Sequence, residues 1–362
     1  MKERIYVCHT FYHVYISCLK ELALRNKDIE KADIVLSLMS TDFGGLKERL
    51  GVSGLFADIL EYDEKPPSFF PELEKYRKNH GNILVHMIKR IIFTKKLGKA
   101  QIPFLPVDFR KYKSIYVFCD SDPIGYYLNY AKIPYHAVED GLNCLVHFDA
   151  ARFDNRGSFR IKAWMSARNL IFIQNGYGKY CIDMEVNDIS AIELPCPKYI
   201  EKPREELVSS LDNNGKELLI NIFIANMPSL MEKLSNKGDA PRVLILTEPL
   251  CDMETRKTLF TDIIDQHGQS NGKQAVIIIK PHPRDILNYQ ELFPEHIVLD
   301  GMFPMEILNF IPNLHFDRVV SVLTVPNAIK FAGEVLFLGK DFLDKYEDPL
   351  LHRQNEQISG KI

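Results

Sequence analysis

The sequence predicts an α/β protein built as two Rossmann-like domains facing a cleft. Short apolar, β-branched runs alternate with segments of helical periodicity through nearly all of the 362 residues, the pattern of strand–helix–strand units and parallel sheets. The alternation pauses in the polar stretch Ser235-Asn-Lys-Gly-Asp-Ala-Pro241 and then resumes, so two domains are expected. Several strands stop abruptly in turns that carry charged residues, and in an open α/β sheet ligands gather outside those carboxyl ends.

In the first domain Ile5–Cys8 reads as a strand. Phe11 to Leu22 reads as a helix, because positions 11, 14, 15, 18, 19 and 22 are apolar at helical spacing. His9 and Thr10 make the turn between them, with Thr10 a secondary, acceptor-side candidate. Ala32–Met39 and Phe56–Tyr62 follow as strands, the former leading into the glycine-bearing turn at Gly44-Gly45. Residues 71 to 99 are expected to be helical, with Pro71 at the start and Gly98 at the end. The second half, from His86 to Leu97, sets cations among large apolar residues. That composition suits an anionic membrane surface or acceptor, and equally a helix with one solvated basic face. Ser114–Cys119 is a buried strand, and Asp122 reads as the cap of the helix that Pro123 opens. Pro134–Val138 is a short strand that ends in Glu139-Asp140-Gly141. Strands are also expected at Ala167–Gln174 and Ile189–Leu194, before a charged helical stretch from Glu201 to Ser235 broken at Asp212–Gly215.

In the second domain Arg242–Thr247 is a strand and Asp252 to Gln266 a helix. Ala275-Val-Ile-Ile-Ile279 is a buried strand that ends in the elbow Lys280-Pro-His282-Pro283-Arg284-Asp285. Pro281 and Pro283 fix φ and restrict the residues before them, which holds His282 on a stiff, cationic turn. His296–Asp300 is a short strand, Pro304-Met-Glu306 starts a helix, Asp317–Thr324 is a strand leading to a helix at Val325-Pro326, and Val335–Leu338 closes the sheet. The expected boundaries are 1–238 for an acceptor-side domain and 239–340 for a donor-binding domain. A tail at 341–362 is expected to pack back on the first.

Composition narrows the function classes. A formal net charge of −3 gives no electrostatic case for nucleic-acid binding across the whole surface. The seven cysteines are odd in number and lack a C-x-x-C pair, so neither a disulfide framework nor a zinc site is expected. The amino terminus runs straight into a strand without a leader pattern, and no apolar run approaches the roughly 20 residues that span a bilayer. A cytoplasmic protein is expected, with peripheral contact at the inner face of the membrane and a homodimer both compatible with the reading. Neither half carries G-x-G-x-x-G or a P-loop, so dinucleotide redox chemistry and P-loop phosphoryl transfer lose ground. The GT-B glycosyltransferase architecture remains.

The ordered set Glu139-Asp140-Gly141, Lys280-Pro-His282-Pro283, Pro304-Met-Glu306 and Ser321 with Thr324 resembles the bacterial sialyltransferases, and glycosyltransferase family 52 in particular. What the resemblance implies is specific. Asp140 would remove the proton from an acceptor sugar hydroxyl, with Glu139 and Gly141 as acceptor-side or secondary residues beside it. His282 would meet the phosphate of a CMP leaving group, with Lys280 and Pro283 beside it. Glu306 would accept hydrogen bonds from the ribose, and Ser321, with Thr324, would bind the donor phosphate or carboxylate. Val322 departs from the family pattern, standing where a second Ser or Thr is expected. The implied partners are CMP-sialic acid as donor and a glycan or glycolipid acceptor, without metal or other cofactor. Asp120-Ser-Asp122 has D-x-D spacing, but it lies in the first domain and has a simpler capping role. The same elbow also resembles CDP-glycerol phosphotransferases, which pair it with an acceptor-side histidine. Another hexosyltransferase and a non-catalytic two-domain binder complete the alternatives.

Overall fold

The computed structural model describes residues 1–348 apart from 26, 28, 79–80, 119, 121–122, 142–144, 146–149, 236–239, 271 and 325–327. The expected cap Asp122, the helix start at Val325-Pro326, most of the polar break before Pro241 and the tail beyond 348 lie outside the described residues. The chain forms two compact units, one covering Met1–Asp212 and the other beginning at Asn213.

The first unit runs β1 (Lys2–Cys8), α1 (Phe11–Leu22), β2 (Asp33–Ser37), α2 (Leu46–Ser53), β3 (Ile59–Tyr62), α3 (Ile83–Ala100), β4 (Tyr112–Phe118), α4 (Pro123–Ala131), β5 (Tyr135–Val138), α5 (Ala150–Asp154), α6 (Phe159–Ala167), β6 (Cys181–Val186), β7 (Tyr199–Glu201) and α7 (Arg204–Ser209). Its seven strands are all parallel, in the order β3-β2-β1-β4-β5-β6-β7. The direction of winding reverses between β1 and β4, and such a reversal opens a crevice at the carboxyl ends of the two strands. Ile5, Val7, Val35, Ile115, Val117, Tyr135 and Ala137 fill its core.

The second unit runs α8 (Asn213–Phe223), α9 (Met227–Leu234), β8 (Arg242–Leu246), α10 (Met253–His267), β9 (Gln269–Ser270), β10 (Lys273–Gln274), β11 (Val276–Lys280), α11 (Tyr289–Leu292), β12 (Ile297–Val298), β13 (Phe316–Ser321) and β14 (Ala332–Phe337). Five parallel strands form the sheet β12-β11-β8-β13-β14, and β9 and β10 make a separate antiparallel pair. The isoleucine run expected as a buried strand is β11, with Ile277, Ile278 and Ile279 almost wholly buried.

Several expectations are corrected. The break between units falls at Asp212 rather than 238, because α9 is tied to the second unit: Lys233 Nζ donates to the Val298 carbonyl at 3.0 Å, and Arg242 donates to the Leu234 carbonyl at 2.8 Å. Residues 167–174 are not a strand. Leu170–Ile173 are apolar and partly or fully buried, but the Leu170 and Ile173 N–H groups bond to the Met165 carbonyl and the Ser166 hydroxyl instead of a neighbouring strand. Residues 189–194 form turns, with Ile192 N–H returning to the Ile189 carbonyl. The strands there are β6 and β7. Finally, the start of the tail is a 3₁₀ helix, Lys340–Lys345, whose Phe342 and Leu343 join the core of the second unit, not the first.

The single helix expected over 71–99 is two pieces. Pro71 opens a 3₁₀ turn to Tyr76, and α3 starts afresh where the Asn82 side chain accepts from the Leu84 and Val85 N–H groups. Gly98 is what lets α3 lie against α4: a Cβ there would sit 2.6 Å from the Tyr126 carbonyl oxygen.

Candidate active site

In the first unit the chemistry-bearing side chains collect beyond β1, β4 and β5. After β1, Thr10 adopts an extended conformation and caps α1, its hydroxyl accepting the His13 N–H at 3.2 Å. Thr10 is therefore a cap. The capped turn sets His13 in the protein interior, fully buried, with its ring stacked on Phe118 at 4.5 Å. Its Nδ1 accepts the His9 backbone N–H at 3.0 Å, which leaves the ring proton on Nε2. That Nε2–H donates to Asp140 Oδ1 at 2.5 Å. Asp140 is the open end of the pair, with 23% of its side chain exposed against none of His13's.

A second buried pair braces the first. His9 Nε2 and Glu64 are 2.7 Å apart, and Glu64 also accepts the Ser37 hydroxyl at 2.8 Å and the Ile124 N–H, at the start of α4, at 2.6 Å. Glu64 thus joins the ends of β1, β2 and α4. His13, His9 and Glu64 were not read from the sequence as site residues. The available signal was a pair of histidines four apart, straddling the strand end and the helix cap.

The adjacent carboxylates at 139 and 140 have separate fates. Glu139 is buried, accepts the Asn187 N–H at 2.8 Å, and has its carboxyl pushed up mainly by burial, with Arg204 opposing and Asp140 a smaller contribution. The raised carboxyl is therefore the structural one, and Asp140 is the one that reaches solvent. Gly141 then turns the chain at φ +93°, a conformation that side-chain-bearing residues rarely adopt. Asp120 is also occupied: burial raises it to about 6, and it accepts from Asn175 N–H, Gly176 N–H and the Tyr135 hydroxyl.

In the second unit the elbow after β11 is tied down from β8. Thr247 N–H donates to the Lys280 carbonyl at 3.1 Å, and its hydroxyl accepts the His282 N–H at 3.2 Å. Asp285 closes the turn, pairing with Arg256 at 2.6 Å and accepting the Tyr289 hydroxyl at 2.8 Å, with no side-chain exposure. His282 Nδ1 accepts the Arg284 N–H at 3.1 Å, so Nε2 carries the ring proton of this half-buried residue. Pro283, also half-buried, follows it.

Lys280 is not on the elbow's surface. Its ammonium is buried, donates to the carbonyls of Pro281 and Gly301 at 3.0 and 3.2 Å, and lies 4.3 Å over the Phe303 ring. Burial lowers its pKa to about 7, with Asp300 and Glu306 opposing. Glu306 stands in the first turn of the 3₁₀ helix Met305–Phe310, its carboxyl raised by burial and held back by Lys280.

On the other side of β8, Ser321 ends β13 buried, donating to the Thr324 carbonyl at 3.1 Å. The Thr324 hydroxyl donates to Glu248 at 2.5 Å, and Leu323 N–H to the same carboxylate at 3.0 Å. Glu248, absent from the sequence reading, is thus the post that holds the loop after β13. Val322 explains the departure at that motif: it is fully buried in the core, where a hydroxyl would have to find a partner. The structure thus gathers His282 and Thr247 with Lys280 and Glu306 on one side of β8, and Ser321, Thr324 and Glu248 on the other.

The family model described as glycosyltransferase family 52 matches residues 81–321, two-thirds of the chain. The chain belongs to glycosyltransferase family 52. The match takes in Asp140, His282, Glu306 and Ser321 and leaves out β1, α1 and the turn between them, and with these His9 and His13. Two solved structures share the fold of this family 52 chain, both bacterial sialyltransferases. An α/β-galactoside α-2,3-sialyltransferase of Photobacterium phosphoreum matches at 11% identity and TM-score 0.53, covering 93% of this chain and 90% of that one. A 2,6-sialyltransferase of Photobacterium sp. JT-ISH-224, solved with the donor product CMP and the acceptor substrate lactose, matches at 10% identity and TM-score 0.57, covering 98% and 76%. At that identity the likeness is one of fold, the GT-B type expected from the sequence. An uncharacterized protein of Haemophilus influenzae is 31% identical over 86 residues, 22% of this chain and 26% of that protein. The chain therefore aligns with about a quarter of that relative's length.

Proposed function

We propose that this protein is an inverting sialyltransferase that moves sialic acid from CMP-sialic acid to a galactoside hydroxyl of a surface glycan, a lipooligosaccharide or a capsule. The observation that carries the reading is Asp140: a partly open carboxylate at a parallel sheet's carboxyl end, with one oxygen held by the proton of a buried histidine. Family membership and the shared fold with a sialyltransferase solved with CMP and lactose support the substrate class.

In this reaction the acceptor O–H bond breaks and its proton passes to Asp140. The acceptor oxygen bonds to the anomeric carbon on the face opposite CMP. The bond from that carbon to the phosphate oxygen breaks, its electron pair leaving with CMP. His282 Nε2–H donates to that phosphate oxygen. Glu306 accepts from the ribose hydroxyls. Ser321 and Thr324 hold the loop beyond β13 that receives the donor, and Lys280 supports the elbow from within. A monophosphate carries less charge than a diphosphate, so this chemistry runs without a metal. His13 does not make this a CDP-glycerol-type site, since its ring is buried and its proton is given to Asp140, which leaves the carboxylate facing the acceptor.

The test is CMP release from CMP-sialic acid with a galactoside present. Asp140→Asn should lower turnover by about 10²–10⁴-fold while CMP binding, read by thermal shift, persists, and EDTA should leave wild-type turnover unchanged. An Asp140→Asn protein as active as wild type would overturn the base assignment. Wild type that neither binds CMP nor consumes the donor would overturn the donor.

A further inference from the structure

Two stretches of the first unit carry no acidic residue at all. Lys75–Val107 holds eight Lys and Arg, Asn155–Ile182 holds five, and neither contains Asp or Glu, in a chain whose net charge is −3. The two stretches lie together. Met87 and Ile91 of α3 pack with Met165 of α6 and with Ile171 and Ile173. The Arg90 guanidinium bonds the Asn155 side chain, and Lys95 donates to the Asn169 carbonyl at 2.5 Å.

The outer flanks of both helices are apolar and basic. On α3, Val85, Ile88, Ile92, Lys96 and Lys99 recur at three- and four-residue intervals, which stacks them along one face. Leu84 and Ile88 there are 71% and 58% exposed. On α6, Arg160, Trp164 and Arg168 are successive turns of one face with Ile161 beside them, and Ile161 and Trp164 are 57% and 53% exposed. The Arg168 guanidinium lies 3.8 Å over the Trp164 ring. Large aliphatic side chains held in water beside cations are a composition that water disfavours and a lipid–water boundary accepts.

We propose that α3 and α6 form a docking face for the surface of an anionic lipid bilayer. Lys96, Lys99, Arg160 and Arg168 on these faces match anionic headgroups, and Leu84, Ile88, Ile161 and Trp164 are the side-chain types that sit at the headgroup boundary. A second copy of this chain fits poorly, because it would bring the same acid-free basic face against this one. A nucleic acid fits poorly too, since exposed Leu and Ile offer nothing to phosphates and Trp164 is the only indole for stacking. Among the described residues no helix is long and apolar enough to cross a membrane, so the face would rest on the bilayer rather than span it.

Trp164 is the chain's single tryptophan, so its emission reports on this face alone. Full-length protein is mixed with phosphatidylcholine vesicles, with and without phosphatidylglycerol. The emission should shift to the blue and the protein should co-sediment with the anionic vesicles only. Both effects should weaken at roughly 0.5 M salt, where screening is short-ranged. Lys96→Glu with Lys99→Glu, at exposed positions, should cost on the order of tenfold or more in vesicle affinity at unchanged melting temperature. An unshifted spectrum with anionic vesicles overturns the proposal, and so does equal binding to neutral ones. A blue shift that grows with protein concentration without lipid, or one produced by an oligonucleotide but not by vesicles, would likewise overturn it. The salt and lipid comparisons use wild type alone, so the result stands even if the double variant fails to fold.

Discussion

At Asp140 the decisive proton is already placed. His9 N–H occupies His13 Nδ1, so Nε2–H can only be a donor to the Asp140 carboxylate, whose side chain is 23% exposed. His13 touches no substrate in this scheme and acts by positioning. The two ring nitrogens can be tested separately. His13→Gln keeps a donor near the Nε2 position, and His13→Asn keeps an acceptor near Nδ1. We expect kcat to fall about 10–100-fold in the Asn variant, with donor and acceptor KM little changed, and to recover partly in the Gln variant. The stability loss, about 1–3 kcal/mol where the buried His9 N–H loses its acceptor, should be larger for Gln. Equal kcat in both variants would reduce His13 to a packing residue. Asp140 was legible in the sequence because a charged turn at a strand end is a local pattern. His13 was not, since its partner lies 127 positions away and a histidine within an apolar helix looks like any core residue.

Elements show the same division between local and distant causes. β1, β2, β4 and β11 were readable because an unbroken β-branched or apolar run needs no partner to be recognised. β6 was passed over because it carries Asp183 and Glu185, whose charges are met by His136 at 2.8 Å and by Lys20 at 2.5 Å, on β5 and α1. The elbow was legible as a stiff turn, but the direction of Lys280 was not. A lysine whose folded pKa lies near 7 is depressed below its unfolded value of about 10.4. Between those values the unfolded chain binds more protons, so wild-type stability rises with pH across the window, and the full penalty applies below it. Lys280→Met should therefore stabilise the second unit at about pH 6, by roughly 2 kcal/mol after allowing for two carbonyls that lose a donor. At about pH 9.5 the gain should vanish or reverse. Urea unfolding at the two pH values measures it, and a difference independent of pH would show that burial of this ammonium carries no such cost.

At the scale of the whole molecule, each unit closes its own core and its own parallel sheet, which makes a single two-state unfolding an unsafe assumption. The proposed donor groups after β8, β11 and β13 all belong to the second unit, whereas His13 and Asp140 belong to the first. Two unfolding transitions are therefore expected in calorimetry, with different sensitivities. CMP at about 100 times its Kd should stabilise the second unit by about 2.7 kcal/mol, since ligand binds only the folded form. That corresponds to about 5–10 °C on one transition. Asp285→Ala strands the buried Arg256 guanidinium without its partner, which costs about 3–5 kcal/mol, and should lower that same transition while leaving the other in place. His13→Gln should do the converse. The pairing of effects is the discriminating result: CMP and Asp285 must act on one transition and His13 on the other. If CMP instead raises the transition that His13→Gln lowers, the nucleotide is held by the first unit, and the assignment of the elbow to the leaving phosphate fails with it.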